Sequence, residues 1–145
     1  MIRFLADDVT MPDLDQQSVI RWIKAVAAGY GKRVGEITYI FCSDEKILAV
    51  NREFLSHDYY TDVITFDYSC FPLIAGDIFI SLDTVRSNAK AAGVGFDDEL
   101  RRILVHGVLH LTGQADKTPE ASAEMTRKEN AALALWNTFC TQFHN

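Results

Sequence analysis

The sequence has 145 residues, the length of one domain, and residues 1–145 are therefore predicted to form a single domain. Hydrophobic residues make up 48% and charged residues 23% of the chain, with 8 glycines and 3 prolines, which suggests neither disorder nor a low-complexity arm. The formal net charge of −6 argues against a broad electrostatic attraction to nucleic acid.

The sequence contains neither a targeting segment nor a paired cysteine pattern. Asp7 and Asp8 interrupt the N-terminus before it could form the apolar core of a signal peptide, and no later run approaches the roughly 20 apolar residues that span a bilayer. The three cysteines, Cys42, Cys70 and Cys140, are widely spaced and typical of buried free thiols in a reducing compartment. We therefore expect a cytoplasmic protein with no membrane partner.

The first half of the chain predicts strands and helices in alternation. Strands are predicted at residues 2–6 (IRFLA) and 36–43 (EITYIFCS), with an amphipathic helix between them at residues 14–31. Ser43 is predicted to cap a second helix, residues 44–55, with Ile47, Leu48 and Phe54 facing inward. Two more strands, 62–68 (DVITFDY) and 76–81 (GDIFIS), are joined by a segment that contains Pro72, as a hairpin or through a longer connection.

The second half predicts helices alone. A short helix at residues 81–95 ends in glycines, a second at 97–113 begins with acids and ends at Gly113, and a last one begins at Thr118. The order β α β α β β α α α predicts an α+β fold, with a small mixed sheet of about four strands and helices packed on it. No glycine-rich phosphate loop follows a strand, so no motif indicates nucleotide binding. We expect no small organic cofactor.

Two histidines of the helix at 97–113, His106 and His110, are candidate metal ligands. Residues four apart share one face of a helix, so both rings can direct a nitrogen at one zinc ion. Two surface histidines without a metal would have the same spacing. Gly107 lies between them, although glycine destabilises the interior of a helix. Its presence indicates that another segment approaches the helix closely at this point.

Asp116 is the nearest residue able to complete such a site. Gly113 ends the helix and lets the chain turn back towards the imidazoles, while Thr118, followed by Pro119, is better placed than Asp116 to cap the next helix. Two histidines and one carboxylate leave a coordination position for water, as in catalytic zinc sites. Zinc peptidases carry a glutamate where this chain has Gly107, so the pattern favours attack of an activated water on another electrophile, such as a phosphodiester.

The motif resembles that of the YbeY endoribonucleases, which are bacterial rRNA maturation factors. Their signature, His-Gly-x-Leu-His-Leu-x-Gly-Tyr-Asp-His, is matched in register from His106 to Gly113, and Asp116 falls on its third histidine. The resemblance extends over residues 36 to 116. It includes further family blocks at 51–54 (NREF), 61–66 (TDVITF) and 76–81 (GDIFIS), and the acidic Glu99.

The resemblance implies an α+β fold in which the histidine helix lies beside a small sheet. It also implies one zinc ion held by His106, His110 and, with the substitution, Asp116, and metal-dependent cleavage of single-stranded RNA. The implied process is 3′-end maturation of small-subunit ribosomal RNA together with ribosome quality control, with ribosomal RNA and small-subunit components as partners.

Two departures from the family pattern keep alternatives open. The aspartate at 116 widens the choice of metal towards manganese or iron and should make a bound water less acidic. Leu55 stands where the family usually has an arginine thought to face RNA, with Arg52 and His57 as possible replacements. The alternatives are a ribosome-assembly factor with a structural metal and a hydrolase of another substrate class.

Several side chains are candidate RNA contacts. An acidic protein can bind RNA through a few concentrated cations, because affinity follows local phosphate contacts. The candidate cations form two pairs, and each pair is also typical of a solvated helix face. A pair of aromatic rings could stack on unpaired bases or could belong to an exposed loop. These candidates are Arg86 with Lys90, Arg101 with Arg102, and Tyr59 with Tyr60.

Overall fold

The structure, a computed structural model, describes residues 1–55 and 63–144. Its elements follow the predicted order of strands and helices, with a turn of π-helix after the second helix. They are β1 (Ile2–Ala6), α1 (Gln16–Gly29), β2 (Arg33–Cys42), α2 (Asp44–Val50), the π-turn (Asn51–Leu55), β3 (Val63–Asp67), β4 (Leu73–Ser81), α3 (Leu82–Ala92), α4 (Phe96–Leu111) and α5 (Pro119–His144).

The strands form a four-stranded mixed sheet in the order β1-β2-β4-β3. The pairs β1/β2 and β2/β4 are parallel, whereas β3 runs antiparallel to β4 at one edge. Since β3 and β4 follow each other in the chain, the hairpin is the correct one of the two predicted connections. The predicted α+β class with a small mixed sheet is therefore confirmed.

Two strands are longer than predicted. β2 begins at Arg33 and β4 at Leu73, because these residues pair across the ladder and the Arg33 amide donates to the Pro72 carbonyl oxygen at 2.9 Å. Pro72 itself lies just outside the strand, where its missing N–H removes no ladder hydrogen bond.

Two predictions about burial were wrong. Phe54 was expected to face inward but is 61% exposed. The π-turn adds a residue to the last helical turn and so rotates Phe54 away from the buried Ile47. Among the cysteines, Cys42 is buried as predicted, whereas Cys70 is exposed, because it lies in the connection between β3 and β4. The side chain of Cys140 lies outside the described part of the structure.

Helix α4 is packed tightly against the sheet. Ile37, Tyr39 and Ile78 of the sheet and Leu104 of α4 are fully buried in the main core. The Tyr39 hydroxyl donates to the Leu104 carbonyl oxygen at 2.8 Å and so ties the helix to β2. Helix α5 is held in turn by α1, where Nε1 of Trp22 donates to a carbonyl oxygen of α5 at 2.7 Å.

Gly107 makes the close approach that its position in a helix predicted. A Cβ atom added to it would lie 2.9 Å from Cγ2 and 3.0 Å from Cδ1 of the buried Ile78 on β4. Real Cβ atoms essentially never lie 2.9 Å from another carbon, so a larger residue would force a shift, and glycine lets α4 lie this near the sheet. None of the helices in the described ranges combines the length and apolar character that crossing a membrane requires.

Candidate metal centre

The three predicted ligands lie together at the C-terminal end of α4. His106 and His110 lie on α4, and Asp116 lies in the segment that joins α4 to α5. Oδ2 of Asp116 is 3.4 Å from Nε2 of His106 and 3.3 Å from Nε2 of His110. Both imidazoles therefore direct the same nitrogen at the same carboxylate oxygen.

The donor atoms fit a single small cation. An ion with tetrahedral bonds of roughly 2.0 to 2.2 Å keeps its ligand atoms about 3.3 Å apart, which is the size of the two measured N–O distances. The three ligand atoms all lie within 4.8 Å of one another. Two imidazole nitrogens and a carboxylate oxygen suit zinc and also manganese or iron. Because the three side chains are only 18–30% exposed, the group is shielded but can be reached from solvent.

The end of α4 explains how Asp116 reaches the histidines. The Gly113 amide donates to the His110 carbonyl oxygen at 2.9 Å, and Gly113 has a φ of 103°, which favours glycine and reverses the chain. Oγ1 of Thr118 then accepts a hydrogen bond from the Ala121 amide at 3.0 Å, as the predicted cap of α5. The Asp116 carboxylate is thereby left to face the imidazoles.

Sequence reasoning missed Glu129, a buried acid on α5 that contacts His106. Its Oε2 lies 2.6 Å from Nδ1 of His106, and its Oε1 accepts a hydrogen bond from Nη1 of Arg102 at 2.8 Å. Burial alone would raise the pKa of Glu129, but the hydrogen bonds from His106 and Arg102 outweigh it and hold the pKa below its ordinary value. Glu129 is 23 residues from His106 in the chain, and no sequence spacing signals the contact.

Three of the predicted RNA-binding cations are engaged within the protein. Arg102 donates from Nη1 to Glu129 and from Nη2 to Asn130, both at 2.8 Å. Arg101 pairs with Asp98 at 2.8 Å, and its guanidinium lies 5.0 Å from the ring centre of Trp136.

Arg86 pairs with Asp83 at 3.7 Å, and its guanidinium lies over Phe96. The pairs with Asp83 and Asp98 have i,i+3 spacing that the sequence shows, whereas the ring contacts depend on how the helices pack.

Two further predicted RNA contacts lie on elements other than α4. Lys90 is exposed near the end of α3, and Arg52 is exposed in the π-turn. Glu99, at the family's acidic position, is buried in the first turn of α4. His57, Tyr59 and Tyr60, and the side chain of Leu55, lie outside the described residues.

Comparison with known proteins identifies a family. The family model described as Endoribonuclease YbeY matches residues 4–137. The Endoribonuclease YbeY of Phocaeicola vulgatus is 58% identical over 135 residues, which cover 93% of this chain and 98% of that protein. The Endoribonuclease YbeY of Bacteroides thetaiotaomicron is 55% identical over 134 residues, which cover 92% of this chain and 98% of that protein.

A solved structure shares the fold. The solution structure of TM1509 from Thermotoga maritima superposes with a TM-score of 0.63 at 23% sequence identity, and the match covers 95% of this chain and 93% of that one. At this level of identity the likeness concerns the fold alone. It places the four-stranded mixed sheet and its helices in a known architecture.

Proposed function

The chain belongs to the YbeY endoribonuclease family, and on this premise we propose that it is a single-domain, metal-dependent endoribonuclease that cleaves single-stranded RNA. The observation that carries the proposal is the convergence of His106, His110 and Asp116 on one point, with N–O distances of 3.4 and 3.3 Å. Relatives that are more than half identical over nearly their whole length bear the name of an RNA-cleaving enzyme.

In this proposal the three side chains hold one divalent cation at the end of α4. When bound, the cation supplies Lewis-acid chemistry and activates water for attack on a phosphodiester. His106 and His110 contribute neutral nitrogens, and Asp116 contributes a carboxylate that partly neutralises the charge of the ion. Zinc is the first choice, and the carboxylate oxygen keeps manganese and iron as further candidates.

The proposed substrate is the 3′ end of small-subunit ribosomal RNA, and the proposed setting is ribosome maturation and quality control in the cytoplasm. The net charge of −6 and the internal pairing of Arg86, Arg101 and Arg102 favour an enzyme to which small-subunit components present the RNA. Arg52, Arg86 and Lys90 remain the proposed RNA contacts, and Arg86 would have to exchange Asp83 for phosphate.

A ribosome-assembly factor with a structural metal is the second candidate. Asp116 in place of the family's third histidine and Leu55 in place of an RNA-facing arginine favour it. In that case the ion would fix the segment after Gly113 to α4 and would not contact RNA.

The test compares metal content and RNA cleavage in four proteins: wild type, His110→Ala, Asp116→Asn and Asp97→Asn. Asp97 is an exposed acid in the first turn of α4, so Asp97→Asn makes the same chemical change as Asp116→Asn away from the ligands. We expect wild type and Asp97→Asn to bind metal and to cleave a single-stranded RNA but not its duplex form. His110→Ala and Asp116→Asn should lose both properties.

Each alternative predicts a different result. Wild-type metal affinity in Asp116→Asn would show that the site needs no carboxylate at position 116. Loss of metal without any change in 3′-end maturation in cells would favour the assembly factor. Cleavage of a small ester or peptide, with all RNA left intact, would indicate a hydrolase of another substrate class.

A further inference from the structure

Glu129 holds the side of His106 that faces away from the other ligands. The ring of His106 lies between two carboxylates, with Nδ1 at 2.6 Å from Glu129 and Nε2 at 3.4 Å from Asp116. An ionised carboxylate only accepts hydrogen bonds, so Nδ1 must carry the hydrogen of a neutral ring. Nε2 then has the free lone pair that a metal ligand needs.

Arg102 keeps the Glu129 carboxylate in place. The side chain of Glu129 is only 9% exposed, and a buried carboxylate is costly unless both oxygens are engaged. Arg102 binds Oε1 while His106 binds Oε2, and the two partners are four residues apart on the same face of α4. Both oxygens of one α5 acid are therefore engaged by one face of the metal-binding helix.

His110 provides an internal contrast. Among the side chains that the structure describes, Asp116 is the carboxylate that contacts His110, through Nε2 at 3.3 Å. His110 is also the more exposed ring, at 28% against 18% for His106. Within the described part of the chain, His106 is thus the histidine that is held from the side opposite the ligand point.

We infer that Glu129 is a positioning residue of the metal centre, whose hydrogen bond to Nδ1 of His106 fixes the orientation and tautomer in which Nε2 can bind the ion. The inference rests on the proposed metal site, but it concerns a residue outside the ligand set. A histidine–carboxylate contact that only docks α5 on α4 would affect folding. It would leave the metal affinity of the folded protein unchanged.

The experiment measures zinc affinity by competition with a chromogenic chelator in wild type, Glu129→Gln and Glu129→Ala. Glutamine keeps an acceptor for Nδ1 without the charge, and alanine removes both. Glu124→Gln and Glu124→Ala are the matched controls, because Glu124 is a more exposed acid on the same helix that pairs with Arg127. We expect zinc to bind about 10-fold more weakly to Glu129→Gln and about 100-fold more weakly to Glu129→Ala, with both controls at the wild-type value.

A second measurement needs no metal. Long-range proton–nitrogen NMR of the metal-free protein reports which nitrogen of His106 carries the hydrogen. We expect the Nδ1–H form in wild type and a mixture of the two tautomers in Glu129→Ala. If Glu129→Ala does not fold, the same comparison is made with Glu129→Met, which fills the space of the side chain without an oxygen acceptor for Nδ1.

The outcomes separate the inference from the proposed function. Wild-type zinc affinity in a folded Glu129→Ala, together with loss of zinc in His110→Ala, would overturn the inference and leave the metal site in place. Failure of wild type itself to bind zinc, manganese or iron would overturn both. A mixed His106 tautomer in wild type would also overturn the inference, whatever the zinc affinity.

Discussion

The two faces of α4 meet different kinds of neighbour. One face, with Leu104, Gly107 and Val108, is fully buried against the sheet, where the available space is defined to a few tenths of an ångström. The other face carries Arg102, His106 and His110 at intervals of four residues and meets α5 and the segment after Gly113. The first, the sheet-side face, determines where the helix lies. The second, the polar face, determines which chemistry is available there.

The largest expected effect comes from Gly107→Ala, which disrupts the packing of the sheet-side face of α4 on the sheet. The added Cβ would lie 2.9 Å from Cγ2 of the buried Ile78, so the Ile78 side chain, α4 or the sheet must shift. We expect the free energy of unfolding to fall by about 2–3 kcal/mol. Urea denaturation of the metal-free protein measures it. Gly29→Ala is the control, since a Cβ at the end of α1 meets nothing within 4 Å, and an equal loss there would contradict the packing argument.

The next effect distinguishes the two histidines of the polar face. His106→Ala leaves the buried Glu129 with Arg102 but without its Nδ1 partner, and should lower the free energy of unfolding by about 1–2 kcal/mol. His110→Ala removes the histidine partner of the partly exposed Asp116 and should cost less than about 0.5 kcal/mol. Both are measured without metal by urea denaturation, and equal losses would show that Glu129 does not distinguish the two rings.

A smaller effect is expected at the tie between the helix and β2. Tyr39→Phe removes the hydroxyl that donates to the Leu104 carbonyl oxygen and should lower the free energy of unfolding by about 1 kcal/mol. Zinc affinity should stay unchanged, because the lost hydrogen bond joins α4 to β2 and lies on the side of the helix that faces the sheet. A marked loss of affinity would show that the sheet-side face transmits small shifts to the metal centre.

The smallest expected effect concerns the contact between Arg102 and Glu129 on the polar face. Arg102→Met should weaken zinc binding by less than about tenfold, because it loosens Glu129 without removing it. Arg101→Met should leave zinc affinity unchanged, since Arg101 contacts Asp98 and Trp136. Chelator competition on the two variants makes the comparison. Equal affinities would mean that Glu129 holds its position without Arg102.

Local sequence signals predicted the order of elements and the geometry of the candidate ligands. The spacing of His106 and His110 places both rings on one helix face, because the helical repeat allows no other arrangement. Gly113 reverses the chain, and Thr118 caps the next helix, as predicted from residues only a few positions apart. Predictions failed where the local pattern was overridden, as at Phe54, which the π-turn rotates to the surface.

The sequence by itself thus determined the α+β order of the elements, the shared face of His106 and His110 and the return of the chain to Asp116, because all of these depend on contacts between near neighbours. Only the tertiary structure decided that Glu129 holds His106, that Ile78 fills the space beside Gly107, and that Arg102 is bound internally. Those partners come from distant parts of the chain. Packing of α4 against the sheet and α5 brings them together, and no spacing along the sequence encodes that packing.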